Sequence, residues 1–400
     1  MSNYNPYQVY QDEIQALKDN NTYRTIPVIE SANDAIITIN QKPIINLSSN
    51  NYLGFANHPQ LKEAAIQAIN QYGVGAGAVK TIAGNMVLHQ QLEERLALFK
   101  HEEAAILFQS GFNCNAGVIA AITTSDDLIL SDEYNHASII DGVRLSKAKK
   151  MVYKHNDMDH LKELLLTHRQ DYRQCLIITD GVFSMDGDLA DLPEIVNLAK
   201  QHGCLTYVDD AHGSGVLGKS GRGTIDHFKL HGQIDFTIGT LSKALGVIGG
   251  YVACNQIMKE YLSFKARPLL FSTYLPPAVA AALIEAINML EESDRYTQEL
   301  WDNANYFKAK ARNIGFNIGQ SQTPITPIFT YDEAKTVLFS KLLLERGVFI
   351  SPIVFPTVPV GLARLRVMIS ASHTKAQLDT ALEILQATAI ELDIIKQGSN

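Results

Sequence analysis

Through the middle of the chain, short apolar runs alternate with segments of helical spacing. "DLILSD" (127–132), "KMVYKH" (150–155), "CLIITDG" (175–181), "CLTYVDDAH" (204–212), "IDFTIGTLSK" (234–243) and "GGYVACN" (249–255) are bounded by Asp, Gly or Ser, which is the pattern of buried strands. Between them "MDHLKELLLTHRQ" (158–170) and "PEIVNLAKQHG" (193–203) carry apolar residues at helical spacing, the second closed by Gly203. Strands alternating with helices predict an α/β fold: a mostly parallel sheet covered on both faces. Near Leu275 the rhythm changes. "PPAVAAALIEAINMLEES" (276–293) predicts a long helix, and the helices and strands beyond it predict a smaller α+β lobe. The expected division is an N-terminal arm and strand segment (1–50), a large domain (51–276) and a small C-terminal domain (277–400).

Composition narrows the function classes. With 400 residues, 46% of them hydrophobic, the chain is long enough for two domains. Net charge is -8, and the only basic block is "KAKK" at 147–150, so a surface that tracks nucleic-acid phosphates is not expected. The four cysteines form no CxxC pair, which fits reduced thiols in a cytoplasm better than disulfides or zinc. No apolar stretch reaches membrane-spanning length, and "MSNYNPYQVYQDE" lacks a basic segment followed by an apolar one.

In an open α/β sheet, ligands lie beyond the carboxyl ends of the strands. Three successive runs deliver polar groups there: Asp180 and Ser184, then Asp209 and His212, then Thr240, Ser242 and Lys243. Singly, each has an ordinary explanation, since a lysine after a strand is usually a solvated end and an aspartate is often a helix cap. Together they meet the demands of pyridoxal phosphate. That cofactor needs an amine for its aldehyde, a carboxylate that keeps its ring nitrogen protonated, and hydroxyls with backbone N–H groups for its phosphate. "AAILFQSGFNCNAGVIAAI" supplies a strand, a turn and a helix N-terminus, with Gly111 and Phe112 as phosphate donors. His136, after "DLILSD", is a candidate to stack on the ring.

Two motifs compete. "GSGVLGKS" (213–220) matches the phosphate-loop pattern of nucleotide hydrolases, but Gly221 and Gly223 discourage the helix such a loop must open, and an NTPase would leave Asp209 and His212 unexplained. "YGVGAGAVKTIAG" (72–84) mimics a dinucleotide loop but comes after a helical segment instead of a strand.

Taken in order, "SSNNYLGFANHP", "SDEYNHASIIDGVRLSKA", "TDGVFSMDGD", "YVDDAHGSGVLGKSGRGT", "GTLSKALG", "RPLLFSTYLPP" and "ARLRVMISASHT" resemble the α-oxoamine synthases, over about residues 46–373. These are fold-type I pyridoxal-phosphate enzymes that condense an amino acid with an acyl-CoA. The resemblance implies pyridoxal 5'-phosphate bound covalently to Lys243, which also serves as the base for the α-proton. It implies Asp209 at the ring nitrogen, His212 and Ser184 at the ring oxygen, and His136 on the ring face. Gly111, Phe112 and Thr240 would hold the phosphate, joined by Ser272 and Thr273 from a second subunit, hence a homodimer with shared active sites. Asn51 would contact the amino acid and Arg366 its carboxylate, a task suited to a planar two-donor fork. Arg364, two residues earlier on the same strand face, satisfies the geometry equally.

Two branches of the family fit. The first expectation is glycine C-acetyltransfer, with glycine and acetyl-CoA giving 2-amino-3-oxobutyrate and CoA in threonine breakdown. The alternative is 8-amino-7-oxononanoate synthesis from alanine and pimeloyl-CoA or a pimeloyl carrier, in biotin formation; Thr357 in "FPTVP" resembles that branch. Ala78, Val79 and Lys80 depart from the hydroxyl residue and arginine common in the family, and "ALGVIGGY" is one residue short of the usual glycine-rich form.

Overall fold

The computed structural model describes residues 5–396. An exposed helix, Gln8–Asp19, buries none of its side chains, and an antiparallel pair comes next, β1 (Ile36–Ile39) and β2 (Lys42–Asn46). Seven strands then build the central sheet: β3 (Ala104–Phe108), β4 (Asp127–Asp132), β5 (Lys149–Tyr153), β6 (Gln174–Asp180), β7 (Leu205–Asp209), β8 (Phe236–Thr240) and β9 (Gly250–Cys254). Their order is β3-β9-β8-β7-β6-β4-β5. All neighbours from β8 to β5 are parallel, while β9 runs antiparallel to both β3 and β8.

The apolar runs are explained by this position. Every residue of β3, β4, β8 and β9 is buried, so both faces of each strand must be acceptable to the core and no polar alternation survives. The edge strand β5 buries only its last residue, Tyr153, outright, and its lysines stay at the surface. Side-chain caps start the connecting helices: Asp157 accepts from His160 N–H before Met158–His168, and Asp191 from Glu194 N–H before Leu192–His202.

The described chain divides into two compact units. The large one spans Asn50–Trp301 with Ser370–Ser372 and holds the central sheet; the remainder of the described chain forms the other. The boundary expected at 276/277 and the division found at 301/302 differ because helix Pro277–Glu292 packs on helices Pro59–Tyr72 and Val87–Lys100 of the large unit. The second unit contains β10 (Ile325–Phe329), β11 (Val348–Phe349), β12 (Ser351–Ile353) and β13 (Arg364–Met368). Its sheets are β1-β2-β11, with β11 parallel to β2, and the antiparallel β10-β13-β12. Among the described residues no helix is long and apolar enough to cross a membrane.

Candidate active site

Strands β6, β7 and β8 end side by side in the large unit. Asp180 is the register partner of Asp209, and Asp209 pairs with Ile238, two residues before Thr240. Both aspartates are buried. Burial and the neighbouring Asp209 carboxylate push the Asp180 carboxyl well above its ordinary range, against the pull of the His136 N–H and the nearby Lys243. Asp209 Oδ2 accepts from Asn115 Nδ2 at 2.7 Å and its Oδ1 from Ala211 N–H at 3.0 Å.

Two histidines border this pair. His136 precedes helix Ala137–Leu145, its N–H donating to Asp180 Oδ2 at 2.7 Å while its exposed ring accepts Ser138 N–H at Nδ1 (3.2 Å). His212 is buried three residues past Asp209, with Nδ1 2.8 Å from Tyr52 OH and the two rings edge to face at 6.1 Å.

The candidate anion-binding end is the start of helix Gly111–Ile122, which follows β3. Ser110 caps it, its Oγ accepting from Asn113 N–H (3.1 Å) and its carbonyl from Cys114 N–H (3.0 Å). The N–H groups of Gly111 and Phe112 have no acceptor within the helix. A Cβ on Gly111 would touch Thr240 Cβ at 3.1 Å, so the turn abuts the end of β8, where Thr240 Oγ1 and Ser242 Oγ stand 2.7 Å apart. Gly250 of β9 makes the approach possible: a Cβ there would fall 2.4 Å from Ser110 O and 2.6 Å from Gly111 N. Lys243 sits half-buried in the β8–β9 loop, its carbonyl accepting Gly246 N–H at 3.0 Å.

Asp210, the second aspartate of "VDDAH", has a different task. Its Oδ2 is 3.0 Å from Lys100 Nζ, both side chains almost wholly buried, and its Oδ1 accepts from Thr224 N–H (2.9 Å) and Thr224 Oγ1 (2.7 Å). The phosphate-loop look-alike wraps this ion pair. Gly223, at φ 106°, would place a Cβ 1.8 Å from Asp210 Oδ2, and the helix immediately after it, Thr224–His227, has only four residues. Lys219 is exposed, with its N–H on Asp226 Oδ2 at 2.6 Å.

The other expected residues are spread over both units. Buried Asn51 accepts Ala56 N–H at Oδ1 (3.1 Å), and its carbonyl accepts Ser370 Oγ–H (2.8 Å). Ser184 is half-buried in the loop after β6, where Gly187 N–H returns to Phe183 O at 2.8 Å. The carbonyls of Ser272 and Thr273 each accept from Gln109 Nε2 of their own chain, at 3.1 Å. At the departing segment, Val79 bridges to Thr273, and Lys80 pairs with buried Glu93 and donates to Tyr274 OH at 3.1 Å. Arg364 and Arg366 belong to β13 of the second unit. Arg364 is buried, with its guanidinium 4.4 Å from the centre of the Phe329 ring and its Nε donating to Leu362 O at 3.0 Å, whereas Arg366 is half-buried. Thr357 lies exposed between β12 and β13. Sequence reasoning missed Tyr52 and Asn115. The one signal for Asn115 is an amide in a helical stretch that is apolar apart from it and Asn113.

This donor set fits pyridoxal phosphate: a helix N-terminus with two unshared N–H groups beside two hydroxyls, a buried carboxylate held by two N–H donors, and an amine on the next strand end. Comparison with known proteins agrees. The family model for aminotransferase class I and II matches residues 42–385. The 8-amino-7-oxononanoate synthase of Alkaliphilus oremlandii is 62% identical over 395 residues, covering 99% of this chain and all of that protein. The enzyme of the same name from Alkaliphilus metalliredigens is 60% identical with the same coverage. A high-resolution structure of SPT, a serine palmitoyltransferase, with PLP superposes with a TM-score of 0.93 at 31% identity, over 97% of this chain and 98% of its own. Of the two substrate pairs expected from sequence, these relatives' names match the alternative and do not favour glycine with acetyl-CoA.

Proposed function

As a member of the aminotransferase class I and II family and, within it, of the pyridoxal-phosphate-dependent α-oxoamine synthases, the chain acts on an amino acid and an acyl thioester, and we propose that these are alanine and a pimeloyl thioester. The products would be 8-amino-7-oxononanoate, the free thiol and carbon dioxide. The observation that carries the chemistry is the placement of Asp209 and Lys243 on neighbouring strand ends, beside the open N-terminus of helix Gly111–Ile122.

Pyridoxal phosphate, when bound, supplies a protonated ring that takes up the electron pair released at the substrate's α-carbon. Asp209 keeps that ring protonated, held in place by Asn115 and Ala211. Gly111, Phe112 and Thr240 would hold the phosphate, His212 and Ser184 would serve the ring oxygen, and His136 would lie against the ring. Lys243 Nζ would anchor the cofactor and, once displaced by the substrate's amine, would accept the substrate's α-proton. By the family resemblance, Asn51 and Arg366 would orient the amino acid. Thr357 contributes to the acyl site.

A homodimer, with Ser272 and Thr273 reaching the partner's phosphate site, is supported by exposed apolar side chains at Ile82, Phe112 and Phe271, all at or near the site segments. A cytoplasmic location agrees with four cysteines that are all free thiols. The test is release of CoA by purified protein given alanine or glycine, each with pimeloyl-CoA or acetyl-CoA. A higher kcat/KM for alanine with pimeloyl-CoA is expected; preference for glycine with acetyl-CoA would overturn the substrate assignment while leaving the reaction class.

A further inference from the structure

Asn115 is buried one turn into helix Gly111–Ile122, where an amide is tolerated only if its polar atoms are used. Both ends are. Nδ2 donates to Asp209 Oδ2 at 2.7 Å and to Ser138 Oγ at 2.9 Å, while Oδ1 accepts from Tyr207 OH at 2.6 Å. Chemistry fixes the orientation, because the reversed amide would set its oxygen against a carboxylate. Ser138 Oγ, having accepted from Asn115, has its own hydrogen for His136 Nδ1, 2.7 Å away. That nitrogen also accepts Ser138 N–H, so the neutral imidazole carries its hydrogen on Nε2.

We propose that Asn115 is a positioning residue that fixes the Asp209 carboxylate and the His136 ring relative to each other, so that one amide sets both the partner of the cofactor's ring nitrogen and the group over its face. The inference rests on the cofactor reading above. Donation runs one way: from Tyr207 to Asn115, from Asn115 to Asp209 and Ser138, and from Ser138 to His136. The titratable groups around this chain are Asp209, Asp180, His136, Lys243, Tyr207, Cys114 and Cys254. Burial holds the Tyr207 phenol and the Cys114 thiol in their neutral forms, so the direction of donation does not reverse near neutrality.

Asn115→Asp tests this without changing shape, since it puts an acceptor where Asp209 needs a donor. At low pH a proton shared by the two carboxyls restores one donor, and at high pH two like charges face each other. The readout is the PLP dissociation constant, from titration of apoprotein across mildly acidic to mildly alkaline pH. Wild type, Asn115→Ala and Asn115→Asp are compared, so that the groups common to all three cancel. The Asn115→Asp to wild-type ratio should rise by about tenfold or more with pH, whereas Asn115→Ala should bind about ten- to hundredfold more weakly at a nearly constant ratio. A flat ratio for Asn115→Asp would overturn the proposal, because packing alone does not distinguish an amide from its isosteric acid. Should that variant fail to fold, Tyr207→Phe deletes one oxygen and should weaken binding by roughly three- to tenfold; unchanged binding would again overturn it. Wild-type protein that takes up no PLP would instead refute the cofactor reading, an outcome independent of residue 115.

Discussion

Replacing Lys100 with Met removes the cation that anchors the loop carrying His212. Lys100 Nζ reaches Asp210 Oδ2 (3.0 Å), Ser214 Oγ (2.8 Å) and the Arg222 carbonyl (2.6 Å), which uses all three of its hydrogens. Burial acts to neutralise the amine, but the Tyr251 hydroxyl and Asp210 beside it outweigh burial and hold its pKa above the ordinary lysine value. Without the ammonium, Asp210 keeps its hydrogen bonds from Thr224 and Ser214 yet becomes a buried charge with no counter-ion. Breaking a buried pair in this way costs about 3–5 kcal/mol, whereas removing both charges is close to neutral. Lys100→Met combined with Asp210→Asn should therefore recover about 2 kcal/mol or more of the loss. Urea unfolding followed by tryptophan fluorescence reports on this region directly, because the chain's one tryptophan, Trp301, donates to Val216 O within the loop at 2.8 Å. A Lys100→Met stability within about 1 kcal/mol of wild type, or a double variant no more stable than the single, would rule out the anchoring role.

Three further outcomes are expected from the geometry. His155 lies between Asp132 (3.0 Å) and Asp188 (2.8 Å), and although burial opposes it, their hydrogen bonds raise its pKa to about 10. The stability this contributes is fully present below the unfolded value of 6.5 and is lost as pH rises through about 10. The advantage of wild type over His155→Asn in urea midpoint should therefore shrink across that window; an advantage that grows with pH would contradict the assignment. Gly250→Ala drives a methyl into the Ser110–Gly111 backbone and should weaken PLP binding about tenfold or more in a fluorescence titration, with wild-type affinity as the contrary result. Arg366→Ala should raise KM for the amino acid by roughly ten- to hundredfold with little change in KM for the thioester, and the same pattern from Arg364→Ala alone would reassign the role.

The strand ends were legible because burial on both faces leaves unbroken apolar runs, and the polar residues at the end of each run are then conspicuous. Asp180, Asp209, Thr240 and Lys243 were found in that way. Asn115, Tyr52 and Lys100 were not. Each acts through a partner 94 to 160 residues distant, Asp209, His212 and Asp210 respectively, and no local spacing encodes such a contact. Lys100 reads as an ordinary basic residue in the last turn of its helix, yet its ammonium pairs with Asp210, against whose carboxylate Gly213 and Gly223 of "GSGVLGKSGRG" close too tightly to admit a Cβ. The same glycines, read without Lys100, imitate a nucleotide-binding loop. The large unit extends past residue 276 for a related reason: the apolar face of helix Pro277–Glu292 meets two helices from much earlier in the chain. Substrate choice was not legible either, since glycine differs from alanine by one methyl group and pocket shape decides between them.

The role of Lys243 is tested most sharply by peptide mass spectrometry of protein incubated with PLP, reduced with borohydride and digested. A phosphopyridoxyl group is predicted on the peptide containing Lys243, with its loss in Lys243→Ala. An unmodified Lys243 peptide, or a label on another lysine, would contradict that role and the cofactor site built around it.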